Sequence, residues 1–383
     1  MTTGQIPERY FRLASAVGGE VVAQKSGAYC RIDTAIDPSD RLGELSYSQI
    51  AGVDSVPVEA FSLQELPGHI PACELVCFDT ETTGLGGTGA VPFLIGCGRV
   101  TPEGFSVRQY LLPDYADEPA ALGGLLSDLS PGATIVTYNG AAFDLPLVRD
   151  RLILNRIARE LPVSRHIDLL HPTRRLFKRR LKDCSLVNIE RELFGHIRQR
   201  DIPGYLIPSV YFEWLNDEAT ANLQLVLEHN RQDIVTLLYL CHRIAQAFVS
   251  SGDSLSATDD LHSLSRVYGR RQRHDRSTAL YNRMENESEG TLAADIQLYH
   301  SYQFKRSGEW GKASRIWESL AEHESREGYW ACLELAKYYE HREPDFHKAR
   351  TYTLRAIQIC PYSGGHKSNL TVRLGRIARL IGS

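Results

Sequence analysis

Residues 77–89, CFDTETTGLGGTG, contain two patterns that suggest different chemistry. Asp79 and Glu81 are two positions apart, and side chains at that spacing on a β-strand point to the same face. Adjacent carboxylates repel each other unless a proton or a cation lies between them, so this pair suggests a metal site. The glycines of the stretch follow the spacing G-x-G-x-x-G, which suggests a loop that binds the phosphates of a dinucleotide. They are Gly84, Gly86 and Gly89.

The residues after Gly89 favour the metal site. A dinucleotide loop must open a helix, because the phosphates bind exposed N–H groups at a helix N-terminus. The next residues, AVPFLIGCGRV (90–100), contain a proline and β-forming side chains and therefore predict a strand. We expect no nicotinamide cofactor, and a nicotinamide-dependent oxidoreductase is the least favoured function.

Two further acids are candidates for the same site. Asp144 follows the apolar run ATIVTY (133–138) and opens a predicted helix, where its other possible role is a helix N-cap. Asp233 lies four residues after His229 in the predicted helix LEHNRQDIVTLLYL (227–240), close to the apolar stripe. A carboxylate near a buried surface needs an arginine or a metal ion as its partner.

The elements around these acids alternate between strands and helices. Strands are predicted at ELVCFDTE, AVPFLIGCGRV, FSVRQYLLP and ATIVTYN, and helices follow at EPAALGGLLSDL and FDLPLVRDRLILNRIA. The pattern predicts an α/β domain over residues 71–250. Residues 1–70 are expected to be an accessory segment with short strands, including a hairpin around residues 25–27. The polar residues 251–258 are expected to be a linker.

Residues 259–383 are predicted to be helical and weakly repetitive. Small residues recur 36 positions apart at Ser277, Ala313 and Ala349, as expected where helix pairs stack. This region loosely resembles tetratricopeptide repeats, which implies a possible protein partner. A plain helical bundle is the alternative.

The charge and the apolar content of the chain limit which partners it can bind. The formal net charge is −4, yet residues 145–200 hold 14 Lys and Arg against 6 Asp and Glu. Such a local excess either binds a polyanion or forms a solvated helix face. The chain starts without a basic stretch followed by an apolar run and has no apolar stretch long enough for a membrane span, so we expect a cytoplasmic protein without membrane association.

Three blocks of the sequence, FDTETTG, YNGAAFDLP and HNRQDIV, resemble the motifs of the DEDD exonucleases. From residue 77 to about 240 the chain is similar to the YprB-like branch of that superfamily, including the segments HIDLLHPTRRLF, CSLVNIERELFG and RDIPGYLIPSVYFEWL. The resemblance implies a ribonuclease H-like mixed sheet with flanking helices. It also implies a 3′→5′ exonuclease that hydrolyses phosphodiester bonds of DNA or RNA.

The resemblance assigns roles to individual residues. Asp79, Glu81, Asp144 and Asp233 correspond to the four carboxylates that bind two Mg²⁺ or Mn²⁺ ions, and His229 takes the place of the general base. The histidine subgroup usually has its base five residues before the last aspartate, whereas His229 is four before it. A packed or hydrogen-bonding histidine therefore remains the alternative. Residues expected to bind the nucleic acid are Thr82, Thr83, Tyr138, Asn139, Phe143, Arg175, Arg179 and Arg180.

A function of a different class stays open. The chain could be a non-catalytic scaffold, in which the helical repeats bind a partner protein and the nuclease-like fold only binds nucleic acid. The presence of all four acids speaks against it. DNA and RNA are not distinguished, because the contacts to the 2′-OH that separate them are not encoded in a motif here.

Overall fold

The computed structural model describes residues 6–37, 39–51, 54–64, 66–84, 89–101, 104–287, 291–361 and 365–382. Gly86 lies outside these ranges. The chain divides into two units, residues 1–255 and 256–383. In the described part of the chain no helix is both long and apolar enough to cross a membrane.

The first unit is built around a mixed seven-stranded sheet with the order β1-β2-β9-β8-β7-β10-β11. The pairs β1-β2, β2-β9, β9-β8 and β8-β7 are antiparallel. The pairs β7-β10 and β10-β11 are parallel. Two short hairpins, β3-β4 and β5-β6, lie outside the main sheet. The strands are β1 (Glu20–Gln24), β2 (Gly27–Ile36), β3 (Arg41–Leu42), β4 (Leu45–Ser46), β5 (Ser55–Pro57), β6 (His69–Pro71), β7 (Leu75–Thr82), β8 (Pro92–Thr101), β9 (Gly104–Leu111), β10 (Ala133–Thr137) and β11 (Val163–Asp168).

Helices connect the strands and cover the sheet. They are α1 (Glu8–Ala16), α2 (Tyr47–Ala51), α3 (Glu118–Asp128), α4 (Asp144–Leu154), α5 (Leu170–Leu181), α6 (Leu186–Phe194), α7 (Ile207–Asp217) and α8 (Leu223–Val249). The ribonuclease H-like α/β fold expected from the sequence is confirmed by this mixed sheet with its flanking helices. The segment 1–70 adds β1 and β2 to the same sheet, because β2 pairs along seven residues with β9.

Two glycines let helix α8 lie close to the sheet. On the face of β7 that carries Cys77 and Asp79, the paired positions of β8 are Gly98 and Gly96. A Cβ atom at Gly96 would lie 2.2 Å from both Asn230 Oδ1 and Ile234 Cδ1 of α8. The glycines therefore act as close-approach positions. They bring the middle of α8 next to the strand that holds Asp79.

Buried thiols lie on both faces of this part of the sheet. Cys77 of β7, Cys97 of β8 and Cys241 of α8 are free and at most 2% exposed. Burial raises the pKa of the Cys97 and Cys241 thiols to about 12 and that of Cys77 well above its ordinary value. These side chains behave as small apolar groups of the core.

The second unit is helical over its described residues. Its helices are α9 (Thr258–Arg270), α10 (His274–Glu287), α11 (Ala294–Arg306), α12 (Trp310–Ala321), α13 (Arg326–His341), α14 (Phe346–Ile359) and α15 (Gly365–Gly382). Ser277, Ala313 and Ala349, the small residues of the 36-residue period, lie on α10, α12 and α14 and are fully buried. The period thus coincides with helix contacts.

Candidate active site

The end of β7 presents the first two carboxylates. Asp79 and Glu81 lie on the same face of this central strand, between the antiparallel partner β8 and the parallel partner β10. Asn230 of α8 donates from Nδ2 to Asp79 Oδ2 at 2.8 Å. This hydrogen bond fixes one oxygen of Asp79, and the second oxygen is left for another ligand.

A tight turn after β10 brings in the third carboxylate. Asn139 adopts a left-handed conformation with φ of 67°, and the backbone N–H groups of Asn139 and Ala141 donate to the two oxygens of Asp168. The chain then enters α4 at Asp144, which is buried and accepts a hydrogen bond from Thr80 Oγ1 at 2.5 Å. Asp144 is not the N-cap: Phe143 takes that position without a side-chain cap.

Helix α8 supplies His229 and Asp233 on one face. His229 Nε2 lies 3.7 Å from Asp233 Oδ2 and 4.0 Å from Glu81 Oε1. The imidazole therefore lies against the carboxylates and is not packed away from them. The side chains of Glu81 and Asp233 keep 13% and 15% exposure, so water and small ions can reach them.

A buried arginine contacts the last carboxylate. Arg198, in the segment between α6 and α7, forms an ion pair with Asp233 Oδ1 and another at 2.5 Å with Glu190 Oε1. Its side chain is 2% exposed, as expected for a buried cation held by two carboxylates. Only Oδ2 of Asp233 faces His229.

Burial and mutual repulsion perturb all four acids. Burial, followed by the charges of Asp233, Glu81 and Asp144, raises the pKa of Asp79 well above its ordinary value. Burial and the nearby aspartates likewise raise the pKa of Glu81. Burial also raises the pKa of Asp144 and Asp233, although Thr80 and Arg198 respectively oppose the shift. Such a group of acids is stabilised by cations.

The donor set fits divalent cations. Carboxylate oxygens are the ligands that Mg²⁺ and Mn²⁺ prefer. In the described residues no three His, Cys, Asp or Glu side chains form a closed metal cluster as they stand. One oxygen of each aspartate accepts a hydrogen bond or ion pair from Asn230, Thr80 or Arg198, and the other oxygen of each aspartate, with Glu81, supplies the remaining donors.

A cleft with a volume of about 760 Å³ opens onto three of these carboxylates, Asp79, Glu81 and Asp144. Asp79, Glu81, Asp144 and Asp150 contribute acids to its lining, and among the described lining residues none is Lys or Arg. The charged side chains that a polyanion would meet in this lining are all negative, so its binding there requires cations.

Two exposed aromatic side chains lie in the same cleft. Phe143 is 54% exposed and Tyr205 is 79% exposed. Other aromatics near Tyr205 in the sequence, Tyr211 and Trp214, are fully buried in the core and cannot contact a ligand. Large apolar groups exposed at a cleft are suited to stacking on bases.

Half of the eight predicted substrate residues line this cleft. Thr82, Tyr138 and Asn139 line it together with Phe143. Thr82 Oγ1 donates to Gly84 O at 2.7 Å, and Thr83 Oγ1 accepts from Val91 N at 3.0 Å. Thr83 therefore braces the turn and is not among the lining residues.

The predicted basic residues are placed differently. Arg175, Arg179 and Arg180 belong to α5, none of whose described residues is among those that line the cleft. Arg175 Nη1 donates to Ser62 O at 2.8 Å, so this side chain braces the segment before β6. Arg179 and Arg180 are half-buried.

Several contributing residues were missed in the sequence. Asn230 lies inside the block HNRQDIV, and Asp201, which contacts His229, lies inside RDIPGYL. The motif around each residue could therefore have identified it. Asp168 lies inside HIDLLHPTRRLF in the same way, whereas Arg198 offered no such signal, because 35 residues separate it from its partner Asp233.

Comparisons with known proteins identify the family of the chain. A family model described as the RNase_H superfamily matches residues 76–245. The chain is 33% identical over 311 residues to the protein of Bacillus subtilis (strain 168) named Uncharacterized protein YprB, covering 80% of this chain and 74% of that one. A match to the family B DNA polymerase of Pyrobaculum calidifontis has 14% identity and a TM-score of 0.37, and it covers 70% of this chain and 36% of the polymerase. The chain therefore belongs to the YprB-like family of the ribonuclease H superfamily.

Proposed function

We propose that the chain is a metal-dependent nuclease that removes nucleotides from the 3′ end of a single-stranded nucleic acid. Membership of the ribonuclease H superfamily supports a nuclease-type function. The observation that carries the metal dependence is the cleft itself. It is lined by Asp79, Glu81, Asp144 and Asp150 and, among its described lining residues, by no Lys or Arg.

The four carboxylates share one task in this proposal, which is to hold the metal ions. Asp79 and Glu81 on β7, Asp144 on α4 and Asp233 on α8 hold two Mg²⁺ or Mn²⁺ ions. When bound, the ions supply a more acidic water, orientation of the scissile phosphate and neutralisation of its charge. Asn230, Thr80 and Arg198 each engage one oxygen of an aspartate and so orient the other oxygen.

His229 acts as the general base. Its Nε2 faces the carboxylates and accepts a proton from the attacking water. The spacing of four residues to Asp233 is compatible with this role, because residues at i and i+4 of a helix share a face.

The aromatic side chains favour a single-stranded end. Phe143 and Tyr205 expose their rings in the cleft, and stacking between such rings and unpaired bases contributes about 1 to 3 kcal/mol per base. Bases in a duplex are already stacked on each other, so they gain less from these rings. Stacking tolerates any sequence.

The proposal is tested with end-labelled DNA and RNA single strands. We expect the wild type to shorten 5′-labelled strands stepwise with Mg²⁺ or Mn²⁺ and to stop in chelator. Asp79→Asn should lose at least about 10²-fold in rate, whereas Asp217→Asn, at an exposed site on α7, should not change it. A phosphorothioate at the 3′ end should block shortening, whereas one at the 5′ end should not.

Two outcomes would overturn parts of the proposal. Equal cleavage by wild type and Asp79→Asn would exclude this site as the catalytic one. Metal-dependent binding of nucleic acid without any cleavage would favour the scaffold function.

A further inference from the structure

His229 lies between two charged side chains of the segment that joins α6 to α7. Its Nδ1 is 2.6 Å from Asp201 Oδ1 and 3.4 Å from Arg198 Nη1. A carboxylate can only accept a hydrogen bond, and a guanidinium can only donate one. The two neighbours therefore favour opposite protonation of the same nitrogen.

The distances decide which neighbour controls Nδ1. A separation of 2.6 Å is typical of a hydrogen bond to a charged acceptor, whereas 3.4 Å is long for any N–H donor. The proton therefore lies on Nδ1 and points to Asp201. In the neutral imidazole the other nitrogen, Nε2, then carries the lone pair and faces Glu81 and Asp233.

We propose that Asp201 is the positioning residue of His229. It holds the imidazole in the tautomer with hydrogen on Nδ1, so that Nε2 is free to accept a proton. The link to catalysis rests on the proposed function. When Nε2 takes the proton from water, the ring becomes an imidazolium, and Asp201 compensates its new positive charge.

Asp201 is itself held in place by a buried scaffold. Arg198 Nη1 lies 3.5 Å from Asp201 Oδ2, and the same arginine is fixed by Glu190 at 2.5 and 2.7 Å. Glu190 in turn accepts from the hydroxyl of Thr236 on α8 at 2.5 Å. Helices α6 and α8 thus fix the position of the carboxylate beside His229.

Arg198 makes the loss of Asp201 more than the loss of one hydrogen bond. Without the carboxylate, the nearest polar group to Nδ1 is the Arg198 guanidinium, a donor. Nδ1 then accepts, the hydrogen moves to Nε2, and the nitrogen that faces the site can no longer take a proton. Asp201→Ala should therefore reverse the tautomer.

The tautomer can be measured without any nuclease assay. Long-range ¹H–¹⁵N correlation spectra of the full-length, metal-free protein at pH 8 separate the two neutral forms of each histidine, and the signals absent from His229→Gln assign His229. We expect the form with hydrogen on Nδ1 in the wild type and in Asp201→Glu. Asp201→Ala should show hydrogen on Nε2, whereas Asp217→Ala should match the wild type.

Steady-state kinetics provide the second readout. Asp201→Ala should lower kcat by about 10²-fold, the lower end of what a general base contributes, while KM stays within a few-fold. Asp201→Glu should recover part of kcat, which a purely structural role would not predict. If the alanine variant does not fold, Asp201→Leu, which also lacks a hydrogen-bond acceptor, replaces it in both measurements.

The outcomes separate the two proposals. A wild type with hydrogen on Nε2, or an unchanged tautomer in Asp201→Ala, overturns the positioning role even if the protein is an active nuclease. The expected reversal in a protein that cleaves no strand supports the positioning role and rejects the proposed function instead.

Discussion

At the scale of single residues, the site combines unfavourable charges with specific restraints. Burial and repulsion raise the pKa values of Asp79, Glu81, Asp144 and Asp233, so the native protein binds protons there more tightly than the unfolded chain. Its stability therefore falls as pH rises from the ordinary carboxyl range up to the raised pKa values. The site is a place where stability is lost to keep a cation-binding arrangement.

Replacing Glu81 with glutamine should stabilise the metal-free protein. Glu81→Gln removes one buried charge, and each unit by which a pKa is raised corresponds to about 1.4 kcal/mol. In chelator at pH 8 we expect a Tm at least about 2 °C above the wild type, and the gain should shrink as pH falls towards about 4. Thermal unfolding measures both effects.

The control for this experiment is Glu213→Gln, the same change at an exposed site on α7. Adding Mg²⁺ should raise the Tm of the wild type and of the control more than that of Glu81→Gln. A variant that is less stable than the wild type in chelator would contradict the repulsion argument.

The sequence made the carboxylates predictable and hid their partners. Asp79 and Glu81 were detectable from their spacing on one strand, and Asp144 and Asp233 from their position beside apolar runs. Arg198 was not, because 35 residues separate it from Asp233 and a buried arginine has no periodic signature. Long-range ion pairs become visible only in three dimensions.

At the scale of elements, the approach of α8 to the sheet determines whether the acids meet. Gly96 and Gly98 leave the space into which Asn230 and Ile234 of α8 fit. The sequence predicted that these glycines belong to a strand. The space that they leave for a helix was visible only in the structure. The same holds for β2, whose pairing with β9 joins residues about 75 positions apart.

Adding a methyl group at Gly96 should disturb both stability and the site. Gly96→Ala forces Asn230 and Ile234 away, and overpacking of this kind costs about 1 to 3 kcal/mol. Because Asn230 donates to Asp79, we also expect weaker Mg²⁺-dependent stabilisation. Chemical denaturation with and without Mg²⁺ measures both quantities.

Gly89→Ala is the matched control, because a Cβ atom there meets no atom within 4 Å. It should change the free energy of unfolding by no more than about 0.5 kcal/mol. Equal effects of the two substitutions would show that the gap beneath α8 does not matter.

Helix α5 provides a test of the basic segment. Reversing two charges, in Arg179→Glu with Arg180→Glu, should weaken binding of a single strand and lower the slope of log affinity against log salt by about 2. The control reverses two exposed arginines of the second unit, Arg315→Glu with Arg350→Glu, for the same change in net charge. If both pairs weaken binding equally, the effect is one of overall charge and α5 is a solvated face.

At the scale of the whole molecule, buried acids occur in two settings, beside one another or paired with arginines. In the first unit the acids of the site lie mainly beside one another. In the second, Glu340 on α13 is 7% exposed and forms ion pairs with Arg373 and, at 2.6 Å, with Arg376 of α15. The partner of these arginines lies 33 and 36 positions away in the sequence, so the contact was not predictable from it.

Removing that partner should loosen α15 selectively. Glu340→Gln leaves two arginines without their shared carboxylate, at a cost on the order of 2 kcal/mol. Hydrogen exchange should then speed up in residues 365–382 and remain unchanged in β7. Glu343→Gln on the exposed side is the control, and uniform acceleration across the chain would contradict a local role.

The buried thiol of Cys77 under α8 can report on the opening of the site. Cys77 is two residues from Asp79, and Cys241 of α8 is buried close to it. A thiol reagent can modify Cys77 only while α8 is separated from the sheet. The labelling rate therefore reports how often α8 and its side chains move away from the carboxylates on the sheet. Exposed Cys73 reacts at once and supplies an internal standard. Cation binding should therefore slow the labelling of Cys77. This rate can be measured in the unaltered chain and without any substrate.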